Sequence, residues 1–114
     1  MGKPESLICD VLLDQEIFSG SGNNTKDEVL YRQQVHPESK VKAIPDVKLE
    51  MIVSEIRKFS LEYLAALKEE KVINLIKVHQ KKLCPVHGIL LLIKVTGRLK
   101  RKSYFCKVCQ KLYD

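Results

Sequence analysis

A chain of 114 residues with 20 Lys/Arg, 14 Asp/Glu and 45% apolar residues has room for one domain, or two very small ones, around a modest core. No stretch resembles a secretory signal and no apolar run is long enough to span a bilayer, so we expect a soluble protein of a reducing compartment, cytoplasmic or nuclear. The net charge of +6 is unevenly divided: from Lys77 to Asp114 ten Lys/Arg stand against one acid, giving +9, whereas the first 76 residues net −3. A strongly basic end beside a near-neutral body points to a polyanion partner, most simply nucleic acid.

Met1–Glu5 is polar and expected to fray; Met1, Gly2 and Ser6 match a myristoylation pattern, but no second membrane signal accompanies them. Leu7, Ile8, Val11, Leu12 and Leu13, then Ile17 and Phe18, recur at helical spacing and predict an amphipathic helix over 6–18. Ser19-Gly20-Ser21-Gly22-Asn23 ends it in a turn. A second helix is expected from Asn24 or Thr25 to about Gln34, with Thr25 and Glu28 at capping-box spacing and Asp27 and Glu28 at the positive end of its dipole. Asn23-Asn24-Thr25 also matches a glycosylation sequon, discounted because nothing indicates secretion. His36, before Pro37, reads as a loop residue rather than a ligand.

A connector over 35–45 leads to Pro45-Asp46. Leu49, Ile52, Val53, Ile56, Phe59, Tyr63, Leu64 and Leu67 then predict a long helix over 46–68, whose stripe should cover the first two helices as core, not as a cofactor box. Val72–Val78 fits a short helix or a strand, and its β-branching favours extended chain by about Leu75.

The chemistry is concentrated beyond that point. Cys84-Pro85-Val86-His87 is followed, eighteen residues on, by Cys106-Lys107-Val108-Cys109. Two pairs with two residues between partners form knuckles that aim four donors at one tetrahedral ion, and three thiolates with one imidazole suit zinc better than a hard cation. Gly88 permits the positive φ that such a knuckle needs. Between the pairs, apolar Ile89–Val95, the turn Thr96-Gly97 and the run from Arg98 to Phe105 predict a β-hairpin with a ligand pair at each end. His79, five residues before Cys84, is an alternative fourth ligand, but only His87 completes the knuckle. Cys9 is left over, and the cysteines form no disulfide framework.

The glycine-bearing turn before the second helix has a function of its own to offer. Unpaired N–H groups at a helix start, aided by the dipole, hold phosphate, and Asn23 can add a donor. Leu12-Leu13-Asp14-Gln15, Gly20-Ser21-Gly22-Asn23, Asp27-Glu28-Val29-Leu30-Tyr31 and Val35-His36-Pro37 resemble the helix–two-turns–helix domain of the formamidopyrimidine-DNA glycosylase and endonuclease VIII family. Arg101-Lys102-Ser103-Tyr104-Phe105-Cys106-Lys107-Val108-Cys109-Gln110 is similar to the C-terminal zinc finger of that family, and together the two motifs cover almost the whole chain.

The resemblance implies a mainly α fold, with a helix–two-turns–helix domain over 1–74 and a small β-hairpin zinc finger over 75–114. It implies binding of damaged duplex DNA in base-excision repair, with Asn23 and Arg101 gripping the backbone beside the lesion and Gly22 and Lys102 assisting. One structural zinc would sit on Cys84, His87, Cys106 and Cys109. In the family the catalytic proline and glutamate begin a separate N-terminal β-sandwich lobe. Pro4-Glu5 does not stand in for them, because Pro4 is not N-terminal and has no free amine. The chain as given is therefore expected to lack that lobe, to contain no catalytic residue and to excise no base alone. The contrasting expectation is a zinc-stabilised interaction module docking on an acidic protein.

Overall fold

The computed structural model describes residues 6–14, 22–71, 75–98 and 100–114, with the backbone alone for 13, 14 and 22–24. Three helices and a two-stranded antiparallel hairpin follow in chain order. Helix α1 spans Ile8–Asp14, within the expected 6–18; residues 15–18, the turn Ser19–Ser21 and the myristoylation pattern lie outside the described residues. The chain entering α1 is tied to the connector: Ile8 N donates to Ser39 O at 2.8 Å and Val41 N to Ser6 O at 2.9 Å.

Helix α2 spans Gly22–Arg32. It starts before the expected Asn24 or Thr25, so Thr25 lies inside the helix and the capping-box reading of Thr25 and Glu28 does not hold. Glu28 is used elsewhere, as described below. The helix ends two residues before Gln34, because Gln34 turns left-handed (φ 58) and closes a Schellman motif. Val35 N donates to Leu30 O at 2.9 Å and Gln34 N to Tyr31 O at 3.1 Å, capping carbonyls that would otherwise be bare.

Helix α3 spans Asp46–Lys68, as the periodicity predicted. Ile52, Ile56 and Phe59 are buried against Ile8, Val11 and Leu12 of α1 and Val29 and Leu30 of α2, with Leu49 and Tyr63 partly covered. The stripe outruns the surface it covers, since Leu64 and Leu67 are exposed. Arg32 clasps α3 from the side, its Nη1 at 3.0 Å from Glu55 and 2.7 Å from Glu62, with its guanidinium 5.0 Å from the Phe59 ring centre.

Residues 72–74 lie outside the described residues, and 75–78 form no strand. Leu91, Cys84, Cys106 and Val78 make a second small core under the hairpin. Strands β1, Leu92–Thr96, and β2, Arg101–Phe105, pair with Leu92 opposite Phe105 and Thr96 opposite Arg101. β1 starts later than the apolar run, because Ile89–Leu91 is spent on the knuckle: Cys84 N donates to Ile89 O at 2.9 Å and Leu91 N to Lys82 O at 2.8 Å.

Candidate metal centre and nucleic-acid interface

Cys84, His87, Cys106 and Cys109 converge at the base of the hairpin, with one donor atom from each lying within 4.8 Å of the others. Sγ of Cys84 and Sγ of Cys109 are 3.5 Å apart, and His87 Nδ1 is 3.8, 4.0 and 3.0 Å from the sulfurs of Cys84, Cys106 and Cys109. A tetrahedron of zinc–sulfur bonds has edges of about 3.8 Å, so the donors stand close to where one ion would hold them. No two sulfurs are at bonding distance, and all four cysteines are free.

The knuckles themselves are built by backbone. Gly88 takes φ +68 and returns its N–H to Cys84 O at 2.8 Å. In the second knuckle Cys109 N points at Cys106 Sγ (3.4 Å), and the Gln110 side chain bridges outward, accepting from Cys106 N at 2.8 Å and donating to Val35 O at 2.9 Å.

The thiols differ in acidity. Burial pushes Cys84 up, but hydrogen bonds from the Tyr31 hydroxyl and from the His87 and Val86 amides outweigh it and bring the thiol down to about 6. Burial and the neighbouring Cys84 and Cys106 push Cys109 up to about 12. Three sulfurs so close repel one another's negative charge, and a cation at their centre is what lets all of them be thiolates. This donor set fits a soft divalent ion. Tyr31 of α2 reaches it directly, its hydroxyl 3.3 Å from Cys84 Sγ.

His79 is not part of this group. Its Nδ1 lies 2.7 Å from Asp27 Oδ2 and its ring packs edge-on against Tyr104, 5.3 Å between centres. His36 is likewise committed: its Nδ1 accepts the Glu38 N–H at 3.0 Å, and its ring lies 4.5 Å from that of Phe105.

The helices and the finger are joined by three acidic or basic side chains that helical periodicity does not single out. Glu28, wholly buried, accepts N–H bonds from Lys77 (2.8 Å), Val78 (2.9 Å) and His79 (2.8 Å). Asp10 of α1 accepts the Arg98 N–H at 3.0 Å. Gly97, at φ +73, passes so close to the Asp10 carboxylate that a Cβ there would collide with it. Lys26, also wholly buried, donates to Lys102 O at 3.0 Å and Ser103 Oγ at 2.7 Å. In the sequence Asp27 and Glu28 read as charges at a helix start, and no local pattern marked Lys26 or Glu28 as buried.

Arg101 and Lys102 are exposed at the start of β2. Gly22 and Asn23 form the first turn of α2, and the Asn23 side chain lies outside the described residues. Lys26 connects the two places, since it is three residues beyond Asn23 and bonded to the carbonyl of Lys102. No described helix is long and apolar enough to cross a membrane.

The formamidopyrimidine-DNA glycosylase H2TH domain matches residues 1–82 of this chain. The chain is 32% identical over 106 residues to endonuclease 8-like 3 of Bos taurus, covering 92% of this chain and 18% of that protein. It is 38% identical over 125 residues to formamidopyrimidine-DNA glycosylase of Mycoplasma mobile, covering 96% of this chain and 44% of that one. Among solved structures, it superposes on the Lactococcus lactis formamidopyrimidine-DNA glycosylase bound non-covalently to DNA containing an AP site, with a TM-score of 0.79 and 27% identity, over 94% of this chain and 41% of that one. The chain thus spans less than half the length of these relatives.

Proposed function

The chain belongs to the formamidopyrimidine-DNA glycosylase H2TH family, and from that premise we propose that it is the DNA-gripping portion of a base-excision-repair glycosylase of the endonuclease VIII-like kind. Residues 1–74 act as the helix–two-turns–helix unit and 75–114 as the zinc finger. Asn23, with the backbone amides of the α2 start at Gly22, holds one phosphate; Arg101, helped by Lys102, holds the backbone beside it. Contacts of this kind position a duplex without reading its sequence, which suits a protein that must keep the backbone kinked while a damaged nucleotide leaves the stack. Cys84, His87, Cys106 and Cys109 hold one zinc ion, whose part is structural because four protein donors leave it no open position.

The observation that carries this reading is the join at Lys26. The backbone of Asn23 precedes Lys26 by about 4.5 Å of helix rise, and Lys26 is bonded to the residue next to Arg101, which supports a shared grip by the α2 start and the β2 start. The test is a salt titration of binding to short duplexes with and without an abasic site. Binding should weaken steeply with salt, and Arg101→Ala should weaken it by a similar factor for every duplex while lowering the salt slope by about 1. Loss confined to particular sequences would argue against a phosphate role.

A second reading rests on Ile93 and Val95, exposed side by side on the outer face of β1, with Leu90 and Val86 exposed nearer the knuckle. Such a face on a basic finger suits docking to an acidic protein. Absence of duplex binding even at low salt would favour it.

A further inference from the structure

Lys26 is an expensive residue to place where it is. Its side chain is 0% exposed, and an ammonium taken out of water must be paired and fully hydrogen-bonded to be tolerated. Its partners are unusual: apart from Asp27 Oδ1 at 3.4 Å on its own helix, they all belong to β2, the Lys102 carbonyl and the Ser103 hydroxyl. Ser103 Oγ is in turn 2.7 Å from Thr96 Oγ1, opposite Arg101 in the register. One cation on α2 therefore holds both strands at the step beside Arg101.

Resting on the reading above that Arg101 and the α2 start grip one backbone, we propose that Lys26 is a positioning residue for DNA binding, which sets the spacing between Arg101 and the turn at Gly22-Asn23. Side chains two apart on a strand leave the same face, so Arg101 projects from the face of β2 that carries Ser103 and the Lys26 ammonium. Arg101 is exposed and has no hydrogen-bond or ion-pair partner among the described residues, so where its guanidinium can reach depends on where its backbone is held. Arg is long and flexible, and a strand start that rocks by an ångström spreads its head over several positions. Burial pushes the Lys26 pKa down, Asp27 pulls it back, and the positive charge of Arg101 adds a smaller downward push, so the two cations are within electrostatic reach. A backbone phosphate arriving at Arg101 relieves that repulsion. An apolar residue would fill the space of Lys26 but would leave the Ser103 hydroxyl and the Lys102 carbonyl with no charged donor to fix the strand.

The experiment is a double-mutant cycle on the 114-residue chain, read by binding of a fluorescent duplex that carries a tetrahydrofuran abasic-site analogue. Lys26→Met should weaken binding about tenfold, Arg101→Ala at least as much, and the double variant no more than about twofold beyond Arg101→Ala. A residue with a merely structural role would give losses that multiply, and multiplying losses overturn the proposal. So does Lys26→Met binding as tightly as the unmodified chain. If Lys26→Met does not fold, judged by its circular dichroism, Ser103→Ala enters the same cycle and should cost about threefold, again without adding to Arg101→Ala. If the unmodified chain fails to bind at low salt, the DNA-gripping function itself falls and the role of Lys26 falls with it, which separates that outcome from failure of the positioning role alone.

Discussion

Single atoms decide several matters here. The Tyr31 hydroxyl, 3.3 Å from Cys84 Sγ, is the only donor that α2 extends to the metal group among the described residues. It stabilises negative charge on that sulfur, and burial beside the thiols raises its own pKa above the ordinary tyrosine value. Tyr31→Phe should therefore lower zinc affinity roughly tenfold without changing the ligand count, as measured by competition with a chromophoric chelator. His36 makes a second case. Burial lowers its pKa below 6.5, and its Nδ1 must stay unprotonated to accept the Glu38 N–H. With the folded-state value depressed, its contribution to stability is full above about 6.5 and is lost as pH falls through the lower folded value. An NMR titration of the imidazole signals should show His36 taking up its proton below 6.5.

At the scale of elements, period and spacing in the sequence were enough for what local chemistry controls. The bounds of α3 follow from its apolar stripe, and the hairpin from two runs about a glycine turn. What failed was Thr25 with Glu28 as a cap. Glu28 gives its carboxylate to the amides of Lys77, Val78 and His79, fifty residues away, so a residue that looked local is a long-range plug. Glu28→Ala should strand those amides and destabilise the chain by about 3 kcal/mol, seen as a lowered urea midpoint at unchanged m-value. Glu28→Gln, which keeps one acceptor oxygen, should cost less.

The whole molecule depends on the join between helices and finger more than on either core alone. Asp10, Lys26, Glu28 and Tyr31 all reach from α1 and α2 into the C-terminal part, so metal binding at one end should be felt by the helices at the other. Removing the metal with a chelator should unfold the hairpin and lower the melting midpoint of the helical signal by about 10 °C or more, restored by one equivalent of zinc. A helical midpoint unmoved by chelation would show that the two parts are energetically separate. The amino-acid sequence by itself determined the four donors, the long helix and the basic end, because ligand spacing, helical period and charge composition are properties of neighbouring residues. Only the tertiary structure decided that Lys26 and Glu28 are buried, that His79 serves Asp27 and not the metal group, and that β2 is held against α2 at Lys26. Those outcomes turn on which distant polar groups a folded chain leaves without water, and no stretch of sequence read alone contains that information.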